Sequence, residues 1–162
     1  MESFNQRVIE AQIKIRNFVQ DNESSSSFGV LRGLHFQEPP NAQAKLMRVI
    51  EGEVFDVAVD LRSDSPTLGK HVALRLNGEL KQLFYIPKGF AHGFLVMSKK
   101  AVFSYKVDSY YHPLSERSLN WNDKELKINW PLNEYEIQLS KKDFNGISWE
   151  KLCFFEKKEW EK

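Results

Sequence analysis

The spacing of apolar positions changes character twice along the chain. Over residues 3–16 it is helical: Phe4, Val8, Ala11 and Ile15 fall on one face, and Ser3 with Gln6 has the form of a capping box, which predicts a short N-terminal helix. The polar run at residues 24–27 reads as a turn, too short to separate domains. From residue 28 to about 107 the period falls to two. Within residues 53–61, Phe55, Val57, Val59 and Leu61 share one face, while Val54, Asp56, Ala58 and Asp60 share the other. Residues 71–76 alternate as well, with Val72, Leu74 and Leu76 on one side, and residues 82–86, 94–98 and 101–107 are further strand candidates. Pro-, Gly- and Asn-containing turns separate these runs, and Asn77-Gly78 is the strongest hairpin signal. Many short strands at this spacing predict a mainly β fold, a sandwich or a barrel. Residues 108–162 are irregular and partly helical in pattern, with Trp121, Trp130, Trp149 and Trp160 expected to anchor segments folded back on the barrel.

Asp56 and Asp60 interrupt an otherwise apolar strand. Their face either lines a wet cavity or meets solvent, and periodicity alone leaves both open. Composition narrows the function classes. Lys and Arg (23) nearly cancel Asp and Glu (22) over 162 residues, which argues against a broad nucleic-acid or acidic-lipid surface. The single cysteine, Cys153, excludes an intrachain disulfide and is expected to be a small packing residue. No stretch reaches the roughly 20 apolar residues that span a bilayer, and the N-terminus lacks the order of a secretory signal, so a cytoplasmic protein is expected.

The run Gly29-Val-Leu-Arg-Gly-Leu-His-Phe-Gln37 carries the most chemistry. Arg32 and His35 are three apart, so on a regular strand they point to opposite faces; Gly29 and Gly33 are places where the strand can bend and bring them together. A guanidinium that grips phosphate beside an imidazole that moves protons near neutral pH suggests an enzyme acting on a phosphorylated small molecule. Pro87-Lys-Gly-Phe-Ala-His92 resembles the second motif of the cupins, double-sheet jelly rolls that often hold a metal. The first cupin motif normally supplies His-x-His; here it reads His35-Phe-Gln37, and glutamine is a weak ligand for transition metals. A metal-free pocket follows, with its histidines free for acid–base work.

A longer ordered set of motifs is similar to the dTDP-4-dehydrorhamnose 3,5-epimerase family. It comprises Asn17-Phe-Val-Gln-Asp-Asn22, the Gly29–Gln37 run, Ala42-Gln-Ala-Lys-Leu46, Asp56-Val-Ala-Val-Asp-Leu-Arg62, Ser65-Pro-Thr67, Ile86-Pro-Lys-Gly-Phe-Ala-His-Gly-Phe94, Ser115-Glu-Arg117, Trp121-Asn-Asp123, Ile128-Asn-Trp-Pro131 and Leu139-Ser-Lys-Lys-Asp143. The resemblance implies a cupin-like double-sheet jelly roll with a short N-terminal helix and an irregular, partly helical C-terminal segment. It implies no cofactor, and epimerisation at C3 and C5 of a dTDP-linked 4-keto-6-deoxyhexose. By the same resemblance His35 is the base, Tyr105 the opposing acid, Asp143 the carboxylate that orients His35, and Lys45 the cation at the C4 oxygen. Arg32 and Lys142 are implied diphosphate contacts, and Gln20, Asp21 and Asn22 nucleotide contacts. Glu2, His92 and Glu116 are implied substrate contacts, and Tyr111, with Tyr110 as the alternative, a stacking surface.

The matching region opens at Glu2-Ser-Phe-Asn5. The family carries an earlier strand and an Arg-Gly-x-Phe turn that reaches the neighbouring subunit of a dimer. The expectation is therefore one domain over residues 1–162 without that first segment, acting as a homodimer. Two neighbouring readings remain: an epimerase of one carbon only, and a non-catalytic cupin that binds sugar nucleotide.

Overall fold

Period-two alternation produces two sheets that pack face to face in this computed structural model, which describes residues 2–13 and 17–161. The strands are β1 (Gln20–Ser27), β2 (Val30–Gln37), β3 (Lys45–Glu51), β4 (Glu53–Asp60), β5 (His71–Asn77), β6 (Phe84–Ile86), β7 (Phe90–Val96), β8 (Lys100–Val107), β9 (Glu116–Ser118) and β10 (Gln138–Leu139). Short helices are α1 (Gln6–Gln12), α2 (Lys141–Phe144) and α3 (Lys157–Trp160). One sheet runs β1-β8-β3-β6; the other runs β10-β2-β7-β4-β5, with β9 also pairing β2. Met47, Val49 and Phe103 of the first sheet pack against Val54, Ala58, Phe94 and Val96 of the second, which is the sandwich core. This is the expected mainly β double-sheet architecture. No helix among the described residues is long and apolar enough to cross a membrane.

The second sheet is covered on both faces except along its edge strand β5, where Val72 and Leu74 are exposed. Its far side meets Leu119, Leu126, Leu152 and Trp160 from the C-terminal third, so the tryptophans do fold that segment back onto the sheet. Double burial explains the strand that mixes Asp with Val. Val57 and Val59 face the C-terminal segment, whereas Asp56 and Asp60 point inward and are 0% and 2% exposed. The solvent reading of that face is excluded. Asp60 accepts from Arg62, Ser65 and Thr67 and pins the loop after β4, while Asp56 reaches the site described below.

Four local expectations are corrected. Residues 24–27 are the second half of β1, not a turn; the strand's inward side lines a cavity instead of core, so polar serines replace the usual apolar alternation. Asn77-Gly78 forms no hairpin: Asn77 Oδ1 accepts from Glu79 and Leu80 N–H groups, and the chain crosses to the other sheet before β6. The N-terminal helix is capped by Asn5, whose side chain accepts from Arg7 and Val8, and not by Ser3. It buries Ile9, while Val8 of the expected face is exposed; Ile15 and the expected helix end lie outside the described residues. Cys153 is exposed and not a packing residue; its neighbour Leu152 is the side chain buried there.

The pairing of β2 with β7 determines where the site forms. Arg32 pairs with Phe94 and His35 pairs with His92, so two residues of β2, Gly33 and Leu34, stand opposite the single Gly93. That is a β-bulge, and it converts a spacing of three into an effective spacing of two. Arg32 and His35 therefore face the same side. Gly33 adopts φ +132°, and a Cβ there would lie 2.5 Å from Gly93 Cα. A Cβ on Gly93 would lie 2.8 Å from the Arg32 carbonyl oxygen. Gly33→Ala and Gly93→Ala are each expected to cost about 2–4 kcal/mol of stability through strain and backbone displacement. Urea unfolding midpoints measure this, and unchanged midpoints would show that the bulge tolerates a side chain.

Candidate active site

Between the sheets lies a cavity of about 120 Å³. Arg32, His35 and His92 line it from the sheet containing β2 and β7; Lys45, Tyr105 and Ser24 line it from the opposite sheet, with Phe94 and Phe103 between. Strand alternation explains each inward position. Lys45 and Met47 alternate inward on β3, and Phe103 and Tyr105 do so on β8, where Tyr105 pairs with Met47. Titratable side chains thus stand on two facing walls.

His35 is bound to a carboxylate from outside the sandwich. Its Nε2–H donates to Asp143 Oδ1 in a short hydrogen bond. An ionised carboxylate only accepts, so in the neutral imidazole the nitrogen facing it carries the hydrogen and Nδ1 has the lone pair. Asp143 is itself oriented: Ser140 Oγ donates to Oδ2 at 2.8 Å, and Ser118 Oγ lies 3.4 Å from Oδ1. Burial alone would raise the Asp143 pKa, but these hydrogen bonds and the nearby His35 and Lys142 charges hold it below the usual carboxylate range. The pair therefore stays ready to stabilise an imidazolium.

Lys45 has no hydrogen bond or ion pair among the described residues, unlike Arg32, His35 and His92 on the facing wall. Burial lowers its pKa to about 8, against the pull of Asp56 and Glu116, and Lys142 repulsion adds to the lowering. An unpaired ammonium beside a cavity is a ready partner for an oxyanion. Burial raises the Tyr105 pKa above that of an ordinary phenol, with Arg32 opposing and Glu116 assisting. Tyr105 accordingly keeps its proton at neutral pH.

Cations and acceptors continue from the cavity to its mouth. Arg32 Nε donates to Ser26 Oγ at 3.1 Å. Lys142 pairs with Glu116 at 2.5 Å, and Tyr111 OH donates to the other Glu116 oxygen at 2.8 Å, linking three residues expected at the site. Gln20 donates to Asn22, both on the inward side of β1. Of the expected residues, Arg32, His35, Lys45, His92 and Tyr105 line the cavity and Asp143 meets it through His35; Gln20, Asn22, Glu116, Lys142 and Tyr111 do not line it, and neither do Asp21 and Glu2. Asp21 alternates outward and pairs with Lys106, and Glu2 is exposed and accepts from Asn5 near the helix start. Tyr110 is exposed, and its backbone carbonyl lies 3.5 Å from Gln37 Nε2.

The residues do not fit a cupin metal. Gln37 donates from Nε2 to the Asn41 carbonyl at 2.7 Å and accepts the His112 N–H at Oε1, so its amide fastens two backbone segments. His35 is bound to Asp143 and His92 to Asp56, and no group of three metal-ligating side chains occurs among the described residues. Sequence reasoning overlooked Ser24, Phe94 and Phe103 as cavity walls. It also overlooked Ser140, although a serine three residues before Asp143 is the signature of a helix N-cap.

A two-sheet jelly roll with a histidine–aspartate pair on one wall and a tyrosine and free lysine on the other defines a cupin-type acid–base pocket. Comparison with known proteins gives the particular family. Residues 1–151 match the family model described as dTDP-4-dehydrorhamnose 3,5-epimerase, and the chain belongs to that family. The dTDP-4-dehydrorhamnose 3,5-epimerase of Shigella flexneri is 52% identical over 147 residues, 90% of this chain and 80% of that protein. The structure of a dTDP-6-deoxy-D-glucose-3,5-epimerase from Legionella pneumophila, in complex with dTDP-4-keto-L-rhamnose, superimposes with a TM-score of 0.86 at 53% identity, covering 90% of this chain and 77% of that one. A 3'-monoepimerase variant from Streptomyces bikiniensis, in complex with dTDP, gives 0.89 at 29% identity, covering 99% and 82%.

The Lys45 environment is open to direct measurement. After reductive methylation with carbon-13, one dimethyl-lysine is expected to titrate near pH 8 and to be missing from Lys45→Arg. Exposed lysines should titrate at roughly 10. A set of resonances all titrating at the ordinary value would refute the burial argument.

Proposed function

We propose that the protein epimerises C3 and C5 of a dTDP-linked 4-keto-6-deoxyhexose, converting dTDP-4-dehydro-6-deoxy-D-glucose to dTDP-4-dehydro-L-rhamnose. The observation that carries this reading is the placement of His35 and Tyr105 on opposite walls of one cavity, with the unpaired Lys45 on the Tyr105 wall and Arg32 on the His35 wall. Hydrogens on carbons flanking a carbonyl are weakly acidic. Their removal leaves charge on the carbonyl oxygen, and that is the charge an ammonium stabilises.

In the proposed reaction the His35 Nδ1 lone pair takes the proton from C3. The C–H electron pair moves into a new C3–C4 double bond, and the carbonyl electrons move to oxygen, giving an enolate beside Lys45. Asp143 stabilises the imidazolium. When the enolate collapses, its carbon takes the Tyr105 phenolic proton from the opposite face, which inverts the centre. Proton exchange with solvent restores both groups. The same steps at C5 require only that the ring re-present itself between the walls. Arg32 and Lys142 hold the diphosphate, Gln20 and Asn22 the nucleotide, and Tyr111 a stacked base. A cavity below the roughly 300 Å³ of typical ligand pockets suits the reacting sugar, with the nucleotide lying across the mouth. A homodimer belongs to the same reading.

Likeness to a 3'-monoepimerase keeps inversion of a single carbon as the second reading. One experiment separates them: incubation with dTDP-4-keto-6-deoxyglucose in D2O, followed by NMR of the sugar. Deuterium at both C3 and C5 is expected, and label at one carbon alone selects the second reading. His35→Ala is expected to lose exchange by at least about 1,000-fold, the scale of a proton-transfer group. Arg32→Ala should chiefly raise KM, and added chelator should change nothing. Absence of exchange in the wild-type protein would refute the enzymatic reading.

A further inference from the structure

Asp56 takes no part in the reaction drawn above, yet no described residue is more completely buried. It is 0% exposed, and its Oδ2 is the one fully buried side-chain polar atom without a hydrogen-bond partner among the described residues. A buried carboxylate with one oxygen unpaired is costly unless its charge serves a neighbour. Its other oxygen accepts from His92 Nε2 at 2.9 Å across the β4–β7 pair. The His92 ring is held in turn by Phe103, stacked at 6.1 Å and 12° between planes.

We propose that Asp56 is a positioning residue of this site: it fixes His92 in the tautomer that offers Nδ1 as an acceptor to a substrate hydroxyl, and it supplies the buried negative charge that balances Lys45. The proposal rests on the epimerase reading. Its first half follows from hydrogen-bond chemistry. A carboxylate has no proton to give, so the Nε2 facing Asp56 carries the hydrogen. Burial lowers the His92 pKa, and although Asp56 opposes this, Lys45 and His35 add to it, leaving a neutral ring with its lone pair on Nδ1. Nδ1 has no protein partner and is not fully buried, and His92 lines the cavity. His92 thus presents an acceptor where Arg32 and Lys45 present donors, and a sugar hydroxyl beside the carbonyl is the ligand group that can donate to it.

The second half follows from the charges around Lys45. It is faced by Asp56 from β4, Glu116 from β9, Lys142 from α2, His92 from β7, and His35 and Arg32 from β2 across the cavity, with Tyr105 beside it on the neighbouring strand β8. Two of these are carboxylates. Glu116 is already paired with Lys142 and Tyr111, whereas Asp56 keeps one oxygen free of any partner. Asp56 is also the stronger of the two attractions that favour the ammonium. Without it, burial would favour the neutral amine, and an amine gives an enolate little help.

Two variants separate the halves. Asp56→Asn keeps an acceptor for His92 and removes the charge; Asp56→Leu removes both while keeping the branched outline of the side chain. In ligand-free wild type, nitrogen-15 shifts of the His92 ring, assigned by their loss in His92→Gln, are expected to show hydrogen on Nε2 and a lone pair on Nδ1. Asp56→Asn should retain that pattern, while its carbon-13 methylated Lys45 titrates about one unit lower and the alkaline limb of kcat moves down equally, tenfold in rate at the affected pH. Asp56→Leu should add a mixed His92 tautomer and a raised KM. Hydrogen on Nδ1 of wild-type His92, or a Lys45 titration unchanged in Asp56→Asn, would overturn the proposal. Both readouts use ligand-free protein, and Asp56→Asn decides the charge argument even where Asp56→Leu does not fold. If wild type exchanges no deuterium, the epimerase reading fails separately, while the NMR measurements still decide what Asp56 does.

Discussion

The close approach of Gly33 to Gly93 is the constraint on which the site depends. Strand alternation would send Arg32 and His35 to opposite faces, one into the cavity and one into the packing beneath the C-terminal segment. Setting two residues of β2 against one of β7 removes that conflict, and it does so only where neither strand carries a Cβ. The bulge also keeps His35 opposite His92, so two imidazoles share one wall. Bulges are common beside active sites because they re-aim single side chains without dismantling a sheet. Here the re-aimed side chain is the one that meets Asp143.

Electrostatics then distribute the work. Each cavity histidine faces a buried carboxylate, but the two pairs differ in surroundings. Asp143 is hydrogen-bonded on both oxygens, so its charge is matched and available to an imidazolium. Asp56 is half-matched, and its remaining field falls on the lysine. Tyr105 and Lys45 are shifted in opposite directions by the same cause, burial, because desolvation disfavours whichever form is charged. The outcome suits enolate chemistry: a phenol that holds its proton and an ammonium near its point of release.

Much of this was legible in the sequence, for reasons particular to each element. Strands β4, β5 and β8 alternate with apolar residues on at least one face, and the glycines at 29 and 33 marked where regular alternation could fail. What could not be read was burial of one sheet on both sides. The C-terminal segment supplies the second cover, and nothing local to residues 53–61 announces it. Strand β1 escaped notice because its inner side lines a cavity, so no hydrophobic period exists to detect. Asn77-Gly78 misled because a strong turn signal fixes a change of direction but not which sheet receives the chain. In the site, alternation separates Asp21 from Gln20 and Asn22, a distinction that an ordered motif does not make.

Docking of the C-terminal segment and assembly of the site are one event. Leu139 of β10 pairs in parallel with Leu31 of β2, Ser140 caps the four-residue helix α2, and Asp143 in that helix reaches His35. Just beyond, the Ile147 N–H donates to the Ser118 carbonyl, closing the segment against β9. A helix so short has little stability of its own. It is held by its cap, by β10 and by the histidine itself. The contact that orients the imidazole therefore also secures the segment that supplies the carboxylate, and Lys142, one residue earlier, reaches Glu116 from the same short helix. The four residues of α2 therefore position two contacts at once, Asp143 toward His35 and Lys142 toward Glu116.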